Sequence, residues 1–290
     1  MTLKQAFDAA LKKLEAADTP SPRLSAELLL MFSLNCDRAY LFTYPERELT
    51  ADEQSRYDEA IRRRCTGEPA QYITGHQEFY GRDFLVTPAV LIPRPETEHL
   101  IEAALEIFPR DGRLSILDVG TGSGCIAITL AKEFLRTRVM AVDISPEALE
   151  IAQANAARLE AQVEFRQSDL LSAIEPARQF DVVVSNPPYV GECEADKVQK
   201  QVRDFEPHIA VFGGHRGMDI IHRLVPQVRE HLKPNGWFLM EIGYSTADPV
   251  HEAMRDWQDF KVIPDLQGIP RVVVARKPDT HHGDTETRDS

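Results

Sequence analysis

This sequence predicts an α/β protein with a doubly wound, mostly parallel sheet behind a small helical domain. Three observations predict it. From Leu114 onward, short apolar runs alternate with helical stretches, the pattern of a parallel sheet with helices on both faces. The first of those runs ends in Asp118-Val119-Gly120-Thr121-Gly122-Ser123-Gly124, a glycine turn that opens a helix. Residues 1 to about 70, by contrast, carry their apolar residues at helical spacing.

The first helix follows from Leu3, Phe7, Ala10, Leu11 and Leu14. Ser21-Pro22 predicts an N-cap and a proline at the first position of a second helix, which carries Leu24, Leu28, Leu29, Met31 and Phe32. A third is expected from about Ala51 to Arg64, with Thr50 as its cap, Glu53 in the capping-box position, and Gly67 and Pro69 to stop it. Between 76 and 92 the composition changes. Phe79, Tyr80, Phe84, Val86 and Val90 stand among Gly81 and Pro88 and predict a short hairpin linker. Pro93-Arg94-Pro95 then starts a helix. Strands are expected at Leu114–Val119, Val139–Val142, Val163–Arg166, Asp181–Ser185, Trp237–Ile242 and Arg271–Ala275, with helices at Ile126–Phe134 and Pro146–Leu159. The polar segment 277–290 reads as a disordered tail. The expected organisation is therefore a helical domain at 1–75, a hairpin linker at 76–92, a catalytic domain at 93–276 and the tail.

Composition narrows the function. At 290 residues the chain has room for one enzyme core and one small domain. No apolar run is long enough for a bilayer, and the first residues hold an acid and no secretory core, so a cytoplasmic, membrane-free protein is the default. Cys36, Cys65, Cys125 and Cys193 are too scattered for a zinc site or a disulfide framework. A net charge of -13 counts against a protein that grips duplex DNA. Arg62-Arg63-Arg64 reads as the solvated end of a helix. His76, His99 and His208 lack metal spacing, His281-His282 falls in the tail, and no metal site is expected. Glu241, at a strand end, either borders the site or serves the structure.

The glycine loop marks a nucleotide-like cofactor, and Asp143 ends the next strand where a carboxylate for ribose hydroxyls belongs. Gly122 to Ala127 also fits the pattern of NAD enzymes. S-adenosylmethionine has no pyrophosphate and carries an ammonium group, which the extra Gly120 and the acidic Asp118 suit better.

The strand Asp181–Ser185 runs into Asn186-Pro187-Pro188-Tyr189, which places Asn186 in the same crevice as Gly122 and Asp143. An amide or aromatic amine nitrogen is a poor nucleophile with a delocalised lone pair, and two acceptors are needed to orient its N–H groups. The Asn186 oxygen and the Pro187 carbonyl are expected to supply them. The Tyr189 ring is expected to pack on the planar group. Such a site works by alignment and electrostatics, without a metal.

Several segments carry a family resemblance. They are Pro22-Arg23-Leu24, Gly75 to Glu98 with Leu91-Ile92-Pro93-Arg94-Pro95-Glu96-Thr97-Glu98, Asp118 to Gly124, Ser185 to Val190, Phe205-Glu206-Pro207 and Gly214 to Gly217. Through them the chain resembles the PrmC/HemK protein-glutamine methyltransferases over nearly its whole length. The tetrapeptide alone is shared with adenine-directed DNA methyltransferases, whereas the Leu91–Glu98 stretch is far more specific.

The resemblance implies a helical N-terminal domain joined by a hairpin to a class I, Rossmann-like methyltransferase domain. It also implies methylation of the glutamine side-chain nitrogen in the Gly-Gly-Gln loop of peptide chain release factors. By position, Gly120, Thr121, Gly122, Ser123, Gly124 and Asp143 would hold S-adenosylmethionine. Asn186 would touch both cofactor and substrate, and Pro187, Pro188 and Tyr189 the substrate. After Ser168-Asp169, better-known members carry tryptophan where this chain has Leu170, which covers the adenine with apolar surface but cannot stack on it.

Three rival readings compete with this one: an adenine methyltransferase of nucleic acid, a cofactor-binding module without catalysis, and an NAD oxidoreductase. The charge, the intact tetrapeptide and the lack of a catalytic base near the loop weigh against them in turn. The expected partners are release factors, with no direct nucleic acid contact and a monomeric state.

Overall fold

The computed structural model describes residues 1–278. The N-terminal part is a cluster of helices: α1 (Leu3–Ala16), α2 (Pro22–Leu34), α3 (Arg38–Thr43), α4 (Ala51–Cys65) and α5 (Ala70–Thr74). Reciprocal capping boxes start α1 and α4, Thr2 with Gln5 and Thr50 with Glu53. Leu3, Ala6, Ala10 and Leu14 of α1 face Ala26, Leu29 and Leu30 of α2 and Tyr57, Ala60 and Ile61 of α4 in one apolar core. The Tyr57 hydroxyl donates to the Ala26 carbonyl at 3.0 Å, so this buried polar tip has its partner.

Three expectations are corrected here. Ser21 sits in the left-handed region (φ 49°) and its side chain caps nothing; Pro22 alone pre-sets the start of α2. The short helices α3 and α5 were not foreseen, because single turns carry too few residues to show a period. Arg64 is not a solvated helix end. It is 3% exposed and donates to Ser25, to the Glu68 carbonyl (2.9 Å) and to Gln201 Oε1 (3.1 Å), so it brackets the helical cluster to the segment over the site.

The linker forms an antiparallel hairpin, β1 (His76–Phe79) and β2 (Arg82–Leu85), and residues 86–92 lie outside regular structure. Tyr80 and Gly81 make its two-residue turn, both at positive φ, as tight hairpin geometry requires. Phe79 and Phe84 are fully buried against Leu100 and Ile101, each worth about 1.5–3 kcal/mol of apolar burial. Asn155, fully buried, fastens this hairpin. Its side chain pairs with both Leu85 N (2.7 Å) and Leu85 O (3.0 Å) and donates to the Ser123 carbonyl (2.9 Å), tying linker, helix and glycine loop together.

Pro95–Thr97 is a 3₁₀ turn leading into α6 (Glu98–Ile107). Then come β3 (Ser115–Val119), α7 (Cys125–Glu133), β4 (Arg138–Asp143), α8 (Pro146–Arg158), β5 (Val163–Gln167) and β6 (Phe180–Ser185). After β6 follow the short helices α9 (Lys200–Phe205) and α10 (His208–Val211), α11 (Asp219–His231), β7 (Leu232–Glu241), α12 (Ala247–Ala253), β8 (Gln258–Pro264) and β9 (Pro270–Arg276). The sheet order is β5-β4-β3-β6-β7-β9-β8. The first five strands are parallel; β9 pairs antiparallel with β7, and the edge strand β8 pairs antiparallel with β9. The central strands are apolar on both faces because a separate core covers each, one around Ile101, Ile128 and Leu130 and the other around Leu224, Val228 and Phe238.

The edge strand β8 was not foreseen. None of its side chains is fully buried, so it lacks an apolar run. Of the expected tail, Lys277 and Pro278 are described, and Lys277 N–H donates to the Gly236 carbonyl at 2.8 Å. The rest of the tail, with His281 and His282, lies outside the described residues. Among the described residues no helix is long and apolar enough to cross a membrane, and no group of His, Cys, Asp and Glu could hold a metal ion.

Candidate functional site

Strand order reverses between β3 and β6, so the helices that follow diverge and a crevice opens beyond the strand ends. A cavity of about 270 Å³ occupies it, and Gly120, Thr121, Gly122, Ser123, Asp143, Leu170 and Asn186 all line it. The glycine loop folds back because the Gly120 and Thr121 N–H groups both donate to the Val142 carbonyl at the end of β4. Gly120 (φ 74°) and Gly122 (φ 54°) adopt conformations that disfavour side chains, and the space where a Cβ would stand is open at both.

Gly124 is different. A Cβ there would lie 2.9 Å from Ile128 Cδ1 and 3.2 Å from Ala152 Cβ, and Gly124 does not line the cavity. Its lack of a side chain lets α7 pack closely on α8.

Asp118 does not line the cavity either. It is wholly buried under the loop, where Oδ2 accepts from the Thr121 hydroxyl at 2.6 Å and Oδ1 makes no hydrogen bond of good geometry. Burial pushes its carboxyl up to about 7, and the hydroxyl of Thr121 and the Ala127 N–H offset this only in part. Asp143 accepts from Gly122 N at 2.8 Å and from Ser145 N at 3.0 Å. Asp143 also lines the cavity. Burial raises its pKa above the usual carboxylate value, and those backbone N–H groups pull it back. Leu170 adopts φ 51° and packs against the core that holds Leu171 and Met240.

A second cavity of about 370 Å³ opens on the other side of the β6 end, and Asn186, Pro187, Pro188 and Tyr189 line it with Glu241 and Arg271. Asn186 and Pro188 line both cavities and form part of the wall between them. The tetrapeptide is held in place from behind. A Cβ on Gly213 would stand 2.2 Å from the Pro188 carbonyl oxygen, and one on Gly217 2.1 Å from that of Tyr189. Only glycine permits those approaches. The Tyr189 hydroxyl turns inward and donates to Glu241 Oε1 at 3.0 Å, so the ring borders the cavity with its polar tip already spent.

Thr97 was missed by sequence reasoning as a separate contributor. Its hydroxyl donates to Glu241 Oε2 at 2.6 Å and accepts from Asn186 Nδ2 at 3.1 Å. Its only signal was membership in the Leu91–Glu98 stretch. Glu206, 5% exposed, was seen in a motif without a role. It pairs with Arg94 and accepts from Ile92 N at 3.2 Å, clamping that stretch beside both cavities.

With this geometry in view, comparison with known proteins adds the family. Residues 5–75 match the family described as PrmC N-terminal domain, and residues 99–204 the one described as methyltransferase small domain. A release factor glutamine methyltransferase of Koribacter versatilis (strain Ellin345) is 86% identical over 278 residues, 96% of this chain and 99% of that one. One of Moorella thermoacetica is 41% identical over 280 residues, 95% of this chain and 98% of that one. Among solved structures, a methyltransferase from Pyrococcus furiosus superposes with a TM-score of 0.52 at 22% identity, covering 69% of this chain and 91% of that one, a likeness of fold.

Proposed function

Because the chain belongs to the release factor glutamine methyltransferase family, we propose that it methylates the side-chain amide nitrogen of the glutamine in the Gly-Gly-Gln loop of release factors, with S-adenosylmethionine as donor. The observation that carries this reading is the shared wall: Asn186 and Pro188 border both the glycine-loop cavity and the cavity beside it. A donor on one side and an acceptor nitrogen on the other meet there.

The glycine-loop cavity suits the cofactor. Gly120 and Gly122 leave room for a ligand against the backbone, Asp143 offers carboxylate oxygens for ribose hydroxyls, and Leu170 offers an apolar wall for a base. When bound, S-adenosylmethionine supplies an electrophilic methyl group on a sulfonium. The chain's own residues supply orientation. Asn186 Oδ1 and the Pro187 carbonyl accept the two N–H groups of the substrate amide and aim its nitrogen through the shared wall. Proline at 187 fixes the backbone and offers no competing donor. Tyr189 packs beside the planar amide, and residues 1–75 hold the rest of the protein substrate. The enzyme needs no contact with nucleic acid, and we propose that it acts as a monomer in the cytoplasm.

The test is transfer of label from S-adenosylmethionine to three acceptors: a release factor, the same factor with its loop glutamine replaced, and duplex DNA. Label is expected in the first alone. Comparable labelling of DNA would replace this reading with the adenine one.

A further inference from the structure

We infer that Thr97 and Glu241 are positioning residues that hold the Asn186 side-chain amide in the one orientation able to accept a hydrogen bond from the substrate nitrogen. The inference rests on the methyl-transfer reading above and adds to it two residues to which that reading gives no role.

An asparagine amide has two edges of nearly equal shape, an oxygen that accepts and an NH₂ that donates. A substrate amide nitrogen needs the oxygen. Flipped, Asn186 would present N–H groups to N–H groups, and the acceptor would be lost. Something must therefore choose the edge, and proton counting along the buried chain shows what does.

Glu241 closes β7 at 1% exposure. Burial raises its carboxyl above the usual value, and the Thr97 and Tyr189 hydroxyls draw it back toward the ionised form. As a carboxylate it only accepts, and both its oxygens are taken by those hydroxyl donors, Oε2 by Thr97 at 2.6 Å and Oε1 by Tyr189 at 3.0 Å. Thr97 is 2% exposed and its hydroxyl has a single proton. That proton goes to Glu241, so Thr97 Oγ1 can only accept on its other side. The group it meets there, at 3.1 Å, must be the Asn186 NH₂. Oδ1 is then the edge left free. Three separate parts of the fold meet in this relay: the turn before α6, the end of β7 and the turn after β6. A flipped amide would set Oδ1 against a lone pair of Thr97, a buried acceptor–acceptor clash.

The test is single-turnover transfer to an intact release factor with cofactor saturating. Thr97→Val keeps the shape and removes the hydroxyl. It is expected to slow transfer by about 10-fold or more, as loss of orientation does, while calorimetry with S-adenosylhomocysteine finds affinity within about twofold of wild type. Thr97→Ser restores the hydroxyl and should restore most of the rate.

A second arm separates orientation from packing. A carboxylate presents an acceptor on both edges, so in the Asn186→Asp background Thr97→Val should cost about threefold or less. Equal losses in the two backgrounds, or Thr97→Ser as slow as Thr97→Val, would show that Thr97 serves packing alone and overturn the inference. An undiminished rate in Thr97→Val would overturn it as well. A wild-type enzyme that leaves the release factor unlabelled would defeat the methyl-transfer reading itself, and this inference with it.

Discussion

The turns after β3 and β6 face the same crevice and are built on opposite principles. After β3 the backbone is thinned to glycine, space is left open beside Gly120 and Gly122, and the buried carboxylate of Asp118 keeps an oxygen without a good hydrogen bond. After β6 the loose ends are tied. Asn186, Thr97, Glu241 and Tyr189 satisfy one another, and Gly213 and Gly217 press backbone against the carbonyls of Pro188 and Tyr189. On the reading proposed above, the first turn receives the cofactor. On the same reading, the second stays still while a poor nucleophile is aimed. The difference separates binding from orientation, and mutations at the two ends should separate affinity from rate.

The largest effect is expected at the rigid end. Gly217→Ala puts a Cβ where the Tyr189 carbonyl stands, at a residue with φ 75°, so the tetrapeptide must move. A displacement of an ångström at the reacting groups costs about 100-fold or more in rate. Circular dichroism should report a folded protein and calorimetry a nearly unchanged cofactor affinity. Lost affinity with an unchanged rate at saturating cofactor would reverse the division proposed for the two turns.

Asp143→Ala, at the receiving end, should do the opposite. It removes the acceptor for Gly122 N and the carboxylate proposed to hold a ribose. Affinity for S-adenosylhomocysteine should fall by roughly 1–3 kcal/mol, with a far smaller change in the saturated rate. Tight binding of NAD in place of S-adenosylhomocysteine would contradict the cofactor assignment.

The smallest effect is on stability. Burial raises the Asp118 carboxyl to about 7, so the fold favours its protonated form. The stability this contributes is present below the ordinary carboxylate range and is lost as pH rises toward 7. Asp118→Asn cannot ionise, so cofactor-free Asp118→Asn should gain in Tm relative to wild type as pH goes from about 4 to 7. Parallel Tm curves for the two proteins across that range would contradict the half-satisfied carboxylate.

Much of this fold was legible because periodicity and punctuation agree. Apolar runs mark β3, β4, β6 and β7, alternation marks β5, and the capping pair Thr50 and Glu53 and the glycine loop fall where spacing puts them. Short or exposed elements such as α3, α5 and β8 leave no period to read. Within the site, residues carried by a local motif could be named, and residues defined by a distant partner could not. Thr97 meets Glu241 across 144 positions and Arg64 meets Gln201 across 137, pairings that only the folded chain reveals. The packing contact of Gly124 was illegible for the same reason. Its neighbour across the packing contact is Ala152, and no loop motif records that.

The claim that the β6 turn aims the acceptor nitrogen is tested most directly by the single-turnover rate of Asn186→Ala with cofactor saturating and an intact release factor as acceptor. The substitution removes one of the two expected acceptors, and the rate should fall by about 100-fold or more, with cofactor affinity largely kept. A wild-type rate would mean that Asn186-Pro187-Pro188-Tyr189 merely ends a strand, and the mechanism would be wrong.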